Sequence, residues 1–324
     1  MTNPGSQARH YHQATNHTLE SVRSSQHRLV WNNQPRPFKL YVRAEPVSLG
    51  DLPPDSAFPA LDAIASSELG DVDRQPLTTS TLKTLLHYSA GITRTISIGS
   101  GSMQFRAAAC TGALYHIDVY LVAGPLDGLD PGVYQFGPQD GQLRRLRSGD
   151  FRSALADACG GEDRARRSEA MLVLTTTSWR NSWKYQARAY RHAFWDSGTM
   201  LANTLAVARA HAVPASVLVG FNDDAVNQLL ALDTEREVAV AVVALGKSSS
   251  PAPPSPPVVP VDLETVPYSA YEVPEPLILE TDRASSLQTN DEVADWRAKA
   301  AGLAKSQQLT EGRPVSLGEG PPVS

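Results

Sequence analysis

The residues best suited to do chemistry lie in one stretch, residues 184–203, which reads KYQARAYRHAFWDSGTMLAN. Lys184 and the adjacent Tyr185 are the first two residues of this stretch. A free ammonium and a free phenol have pKa values of about 10.4 and 10. In a partly dry cleft the cation would favour the phenolate, and burial would lower the pKa of the lysine. We therefore predict that this pair removes a proton from carbon. The alternative is a solvated lysine beside a tyrosine that only packs.

Three further polar residues follow in the same stretch. Arg188 and Arg191 stand at i+4 and i+7 from Lys184, so on one continuous helix the three cations would lie close to one face. Cations clustered near a helix N-terminus suit an anion such as phosphate. The alternative is a solvated face with Asp196 nearby. We expect His192 to satisfy a hydrogen bond in the core rather than to catalyse.

A second segment with chemical potential reads TGALYHIDVY at 111–120. Thr111 offers a hydroxyl and an amide, and Gly112 permits close approach of the backbone to a flat ligand. The alternative is an ordinary turn before a strand. The histidines at 12, 17, 87, 116 and 211 have no metal-ligand spacing to one another, so no metal site is predicted. Cys110 and Cys159 are interpreted as small buried hydrophobes in a reducing compartment, and we expect a cytoplasmic protein.

The elements that position these residues alternate between strands and helices. The long helix, predicted over 185–212, is apolar around most of its circumference and should be buried. The mixture predicts an α+β layered domain. The patterns predict further helices at 79–91, 151–159 and from Asn222 or Asp223 to 232, and strands at 116–123, 132–136, 143–147, 170–177, 217–221 and 237–246.

The composition of the chain restricts the class of protein that it can form. The 324 residues are 41% hydrophobic and 19% charged, which is typical of a globular protein. No apolar run is long enough for a membrane helix, and the charge of −5 is not that of a nucleic-acid-binding surface. The proline-rich run at 250–260 predicts a linker. We divide the chain into an N-terminal, partly irregular segment (1–75), a catalytic domain (76–247) and a proline-rich linker with an acidic, partly disordered tail (248–324), in which one helix is predicted at 291–305.

Six ordered blocks resemble the SagB-type branch of the FMN-dependent nitroreductase family. They cover about residues 10–247 and read YHQATNHT with WNNQPRPFKLY, LLHYSAGITR, RAAACTGALYHIDVY, GLDPGVYQF, KYQARAYRH and GFNDDAVNQLLALD. The resemblance implies a nitroreductase-like α+β fold, with a mixed, mainly antiparallel sheet around a long buried central helix. It also implies a dimer with FMN at the subunit interface.

The resemblance assigns roles to particular residues. The segment with Cys110, Thr111, Gly112 and Ala113 would lie against the flavin ring. In azoline oxidases of this branch a Lys-Tyr pair removes the ring proton as FMN accepts hydride, and Lys184 with Tyr185 match that pair. The substrate would be a ribosomally made precursor peptide carrying thiazoline or oxazoline rings, which become thiazoles or oxazoles.

The sequence departs from the family pattern at four places. The usual Arg-Arg-Ser-x-Arg phosphate clamp is replaced by ELGDVDRQPLTT, so Arg94, Arg106, Arg188, Arg191 and Lys247 become the candidate phosphate ligands. Cys110-Thr111 replaces Pro-Ser, His116 replaces a later proline, and Asn16 replaces an early lysine. The chain resembles the first half of tandem relatives. A second nitroreductase-like half, or a second copy, is therefore expected to complete the site.

Two other functions remain open from the sequence. The missing clamp favours a cofactor-poor scaffold that binds a precursor peptide or a catalytic partner. A general nitroreductase that uses NAD(P)H on small oxidised molecules is the other possibility.

Overall fold

The computed structural model describes residues 4–65, 74–99 and 101–306. The final stretch GEGPPVS and residues 68–73, which are half of the segment that replaces the phosphate clamp, lie outside these residues. The strands are β1 (Pro46–Val47), β2 (Ile92–Ile98), β3 (Gly101–Arg106), β4 (Ile117–Ala123), β5 (Gly132–Gly137), β6 (Gln142–Ser148), β7 (Ala170–Thr177), β8 (Ala215–Leu218) and β9 (Glu237–Leu245). The helices are α1 (Pro4–Thr15), α2 (Leu19–Ser24), α3 (Ala60–Ala65), α4 (Thr79–Ala90), α5 (Arg152–Ala158), α6 (Asp163–Arg166), α7 (Ser178–Tyr185), α8 (Ala189–Ala210), α9 (Asp223–Leu229), α10 (Pro276–Ser285) and α11 (Asn290–Ser306).

Seven strands form one antiparallel sheet in the order β1-β6-β5-β4-β7-β9-β8. Its central strands β4 and β7 are buried along their whole length. Their apolar runs are continuous because helices cover both faces of the sheet, so neither face alternates with polar residues. Strands β2 and β3 pair separately as a hairpin.

The two faces of the sheet have separate cores. On one face, α4 and α8 contribute Leu82, Leu85, Leu86, Met200 and Ala208 to a cluster with apolar residues of the central strands. On the other face, α5 and α9 contribute Leu155, Val226 and Leu229, and Phe151 packs beside them. The α+β architecture predicted from the sequence, with a mainly antiparallel sheet and a long helix, is confirmed. The prediction that this helix is buried around most of its circumference is wrong for this chain, because α8 buries one face against the sheet and leaves Phe194 and Trp195 exposed.

The prediction of one continuous helix over 185–212 is wrong. Helix α7 ends at Tyr185, a 3₁₀ turn covers Gln186–Arg188, and α8 begins at Ala189. Gln186 has φ of 50° and ψ of −143°, which no helix accommodates. Lys184 lies at the end of α7 and Arg188 in the 3₁₀ turn that follows, so the two do not share a helical face. No local signal announces the break, since neither glycine nor proline stands there.

The segment after the linker returns to the domain. Residues 249–264 have no helix or strand, in keeping with the predicted linker, and α11 matches the predicted tail helix. Helix α10 has no counterpart among the predicted elements. Tyr268, Ile278 and Val293 of this segment are buried. The three-part division of the chain stays a prediction. Within the described residues, no helix combines the length and apolarity needed to cross a membrane.

Candidate active site

A tight turn at residues 110–113 precedes the central strand β4. Gly112 and Ala113 have φ of 65° and 53°, in the left-handed region that favours glycine. The carboxylate of Asp196, on α8, holds this turn in place. Its Oδ2 accepts from the Thr111 amide at 2.9 Å, and its Oδ1 accepts from the Thr111 hydroxyl at 2.8 Å. The turn is therefore fixed to the helix that follows the Lys-Tyr pair.

The same carboxylate gathers two further side chains. The Cys110 thiol donates to Asp196 Oδ2 at 3.1 Å, and His116 Nε2 donates to the same oxygen at 2.9 Å. Against the effect of burial, the hydrogen bonds from His116, Cys110 and Thr111 lower the pKa of Asp196 to about 2. Burial lowers the pKa of His116, so this ring is neutral. Burial and the Asp196 charge raise the pKa of Cys110 to about 12, so it is a thiol rather than a nucleophilic thiolate.

Tyr185 lies directly over this turn. A Cβ atom built on Gly112 would be 2.7 Å from the Tyr185 phenol oxygen, so only glycine leaves room for the phenol here. The ring of His192 packs edge-on against the Tyr185 ring, with centroids 4.7 Å apart. His192 Nδ1 donates a 2.6 Å hydrogen bond to Asn181 Oδ1, and burial lowers the pKa of His192 to about 4. As expected from the sequence, His192 is a packed, hydrogen-bonded residue, and it fixes the position of the phenol.

Lys184 and Tyr185 also border an open cleft. The Lys184 ammonium lies 5.4 Å from the centroid of the Tyr185 ring. Both residues are partly exposed and line a cleft of about 860 Å³, within the size range of small-molecule sites. The opposite wall comes from α1, α2 and the loop after them, with His17 and His27 among its residues. The cleft is thus open to ligands rather than filled by protein atoms.

Two of the arginines predicted to bind the cofactor hold α1 in place. Arg188 donates to the Thr15 carbonyl at 2.6 Å. Arg191 donates to the Thr15 hydroxyl, the His12 carbonyl and the Asn16 side chain at 2.9 to 3.1 Å. These contacts satisfy the end of α1, where carbonyls lack helical partners. Arg188 still lines the cleft, whereas the guanidinium of Arg191 is largely engaged.

The other two predicted arginines lie apart from the cleft. Arg106 is buried and donates to the carbonyls of Ile117 and Pro37. Its Nε has no hydrogen-bond partner among the described residues. Arg94 is exposed on the β2–β3 hairpin. The four arginines therefore do not converge on one point, and their assignment to cofactor binding stays a prediction.

Two residues that position the site are not selected by the sequence patterns. The sequence pattern places Asp196 only near a solvated face, although a carboxylate within a largely apolar helix signals a specific partner. Arg180, fully buried on α7, pairs with Asp118 and donates to the carbonyls of Tyr115 and His116. It thereby ties α7, which carries the Lys-Tyr pair, to the end of the turn. Nothing in the local pattern marks Arg180, because these two carbonyls are 65 and 64 residues away.

Comparison with known structures gives three informative similarities. A protein described as a nitroreductase from Anabaena variabilis is 29% identical, with a TM-score of 0.61 over 74% of this chain. This chain spans only 46% of that protein's length. The McbBCD microcin synthetase of E. coli, in complex with truncated pro-MccB17, is 21% identical over 77% of this chain and 95% of its own, with a TM-score of 0.48. NADPH:FMN oxidoreductase from Vibrio harveyi, complexed with NAD+, is 15% identical over 76% of this chain and 91% of its own, with a TM-score of 0.41.

The last two similarities are too low to carry activity from one protein to another. No curated protein matches this sequence. The nitroreductase family, by contrast, matches residues 72–247, more than half of the chain and all of the sheet except β1. This chain therefore belongs to the nitroreductase family of oxidoreductases.

Proposed function

We propose that this protein is an FMN-dependent dehydrogenase of the SagB type, which oxidises azoline rings in a ribosomally made peptide to azoles. The observation that carries the proposal is the position of Tyr185 over Gly112, at the edge of the open cleft. Two segments selected independently from the sequence, 111–113 and 184–185, thus meet in space. A phenol and an ammonium beside a ring-binding turn are suited to acid–base chemistry on a bound carbon acid.

The reaction needs one proton and one hydride to leave the azoline ring. The Lys184–Tyr185 unit would take the proton from carbon. The ammonium, 5.4 Å from the centroid of the phenol ring, would stabilise the phenolate. Bound FMN would supply the hydride acceptor, and oxygen or another oxidant would restore it. The His192 ring packs against the Tyr185 ring and keeps the phenol over residues 110–113, because a hydrogen bond to Asn181 fixes the His192 ring.

The residues present fit one part of FMN better than the other. At the turn, the Tyr185 phenol takes the space that the missing Cβ of Gly112 leaves, and Asp196 holds Thr111, so a flat ring would stack beside Tyr185 on a fixed turn. On the phosphate side, Arg188 borders the cleft, while Arg106 and Arg94 lie elsewhere. This distribution supports a site that a second copy, or a second nitroreductase-like half, completes.

One exposed face of α8 supports such pairing. Phe194 and Trp195 are 51% and 53% exposed, and Leu205 is also exposed on this helix. The Trp195 ring centroid lies 5.6 Å from the Arg188 guanidinium carbon and 5.4 Å from the His192 ring centroid, so this face is continuous with the site. Large exposed apolar side chains next to a site are typical of an interface. We infer that a second copy covers them, and that Phe194→Glu would lower both the dimer fraction in sedimentation and the flavin content.

The test combines a spectrum with a turnover assay. The protein is purified, reconstituted with FMN and examined for bound flavin absorption. It is then given a short synthetic peptide with one thiazoline ring, and mass spectrometry follows the loss of two hydrogens. We expect turnover by the native protein, and none by Lys184→Ala/Tyr185→Phe with its flavin still bound. The matched control is Lys83→Ala/Tyr134→Phe. In the native protein these two side chains donate to the carbonyls of Gly141 and Asp130, away from the cleft.

Normal turnover by the Lys184→Ala/Tyr185→Phe protein would refute the assigned chemistry. If the protein alone binds no flavin from excess FMN, even at a high protein concentration, the second candidate is favoured. That candidate is a scaffold for a precursor peptide or a catalytic partner. The observation behind that candidate is the dispersal of the four arginines. Rapid bleaching of the flavin by NADPH without peptide oxidation would instead favour a general nitroreductase.

A further inference from the structure

A side-chain cluster beside the turn at 110–113 takes no part in the proposed transfer of a proton and a hydride. Cys110 Sγ, His116 Nε2 and an Asp196 carboxylate oxygen lie within 4.8 Å of one another. His116 and Asp196 are buried, and Cys110 is partly buried. No metal was expected from the sequence, because the histidines have no ligand spacing to one another. The spacing between histidines does not reveal that His116 lies near a cysteine and near a carboxylate 80 residues further along the chain.

We propose that Cys110, His116 and Asp196 form a binding site for a divalent transition metal ion, with zinc as the best fit. Thiolate, imidazole and carboxylate are the three ligand types that zinc takes in proteins. The thiol and the imidazole both direct their hydrogens at Asp196 Oδ2, at 3.1 and 2.9 Å. In a tetrahedral zinc site, the corresponding separations are about 3.5 Å for S···O and about 3.3 Å for N···O. These two separations would open by about 0.4 Å, and the separation of Cys110 Sγ from His116 Nε2, which is within 4.8 Å, would have to reach about 3.5 Å to form a tetrahedral site.

The surroundings support the ligands. His116 Nδ1 lies 2.8 Å from the Thr176 hydroxyl. That hydroxyl can accept a hydrogen bond from Nδ1 once Nε2 binds the metal. The Tyr115 amide donates to Cys110 Sγ at 3.1 Å, which favours a thiolate. A cavity of about 10 Å³ is bordered by Cys110, Asp196 and Arg106. It has room for roughly one water as a fourth ligand.

The proton and charge balance closes. On binding, Cys110 loses its proton to solvent, and the His116 proton moves from Nε2 to Nδ1. The thiolate and the carboxylate together neutralise the divalent ion, which offsets the repulsion expected from the Arg106 guanidinium beside the cavity. The same three residues do not form a nucleophilic triad. Both Cys110 and His116 donate to Asp196, so the imidazole does not accept the thiol proton.

The test uses Co²⁺ as a spectroscopic probe in the full chain, stripped of metal with a chelator and kept reduced. We expect one Co²⁺ per chain, with thiolate-to-cobalt charge-transfer absorption that Zn²⁺ abolishes by displacement. Cys110→Ser should lose this absorption while remaining folded, since serine can still donate to Asp196. Thr176→Val should weaken binding by about 10-fold or more. The matched control is Cys159→Ala, which removes the other, buried cysteine without placing a hydroxyl among apolar residues and should leave the absorption unchanged.

The outcomes separate a built site from adventitious binding. The proposal is overturned if the native chain gives no charge-transfer absorption, or if Cys110→Ser retains it. It is equally overturned if Cys159→Ala, still folded, loses this absorption. None of these results depends on flavin binding or turnover, so failure of the metal site and failure of the proposed function are distinguishable.

Discussion

Replacing Gly112 by alanine tests the contact on which the candidate site rests. Two separate costs are expected. Gly112 has φ of 65°, and holding a non-glycine residue in this region costs roughly 1–2 kcal/mol. The new Cβ would also lie 2.7 Å from the Tyr185 phenol oxygen, where ordinary contact begins at 3.4 Å, so the oxygen must move by several tenths of an ångström. Overpacking of this kind costs about 1–3 kcal/mol. Gly112→Ala should therefore lower the free energy of unfolding by about 2–5 kcal/mol.

A second glycine isolates the backbone part of this cost. Gly128 has φ of 77°, and a Cβ built on it meets nothing within 4 Å. Gly128→Ala should cost only the backbone share of roughly 1–2 kcal/mol. Tyr185→Phe isolates the other part, because without the phenol oxygen the nearest atoms to the new Cβ are ring carbons at 3.3 and 3.4 Å.

The assay is urea unfolding of the native chain, Gly112→Ala, Tyr185→Phe and the double variant, with Gly128→Ala beside them. The cycle should give a coupling energy of about 1–3 kcal/mol between positions 112 and 185. If the Gly112→Ala cost is the same with Tyr or Phe at 185, the phenol is not over the turn and the proposed active site is wrong. The same conclusion follows if Gly112→Ala costs no more than Gly128→Ala.

Three further predictions concern the frame around the site. Arg180→Met leaves Asp118 as an unpaired buried carboxylate, so urea unfolding should show a loss of about 3–5 kcal/mol. Arg145→Gln, at an exposed pair with Asp130, should lower the free energy of unfolding by less than about 1 kcal/mol. If Arg180→Met and Arg145→Gln lose the same amount, Arg180 has no special structural role. Burial raises the pKa of Asp223 to about 7 and that of Asp282 to about 6, from 3.8, so both carboxyls stabilise the fold when protonated. That contribution is complete below about pH 4 and is lost as the pH rises through about 6 to 7, so the urea midpoint should fall over this range. Asp223→Asn/Asp282→Asn should flatten the fall, the exposed Asp51→Asn should not, and an unchanged slope in the double variant would refute the assignment. Arg191→Ala removes three hydrogen bonds to the end of α1, so amides of residues 4–15 should exchange faster with deuterium. Arg43→Ala, at an exposed pair, should leave them unchanged, and unaltered exchange in Arg191→Ala would show that α1 is held by other contacts.

The sequence determined the layered α+β architecture and most of its elements. Continuous apolar runs such as 170–177 and helical spacing such as Leu82, Leu85 and Leu86 report burial. Burial follows from local pattern because every strand and helix must cover an apolar face. The sequence also marked the two segments that meet in the candidate site, since glycine in a turn and a Lys-Tyr pair are local features.

Tertiary structure alone decided how those segments meet. Tyr185 lies over Gly112 and the chain breaks directly after it at Gln186, where no short-range signal encodes the positive φ of a glutamine. Asp196 gathers Cys110, Thr111 and His116 from distant parts of the chain, and Arg191 is occupied by α1, far earlier in the sequence. Hydrogen-bond partners of polar side chains depend on distances that the folded chain creates. Their identity is therefore absent from composition and periodicity, whereas the burial of apolar residues is not.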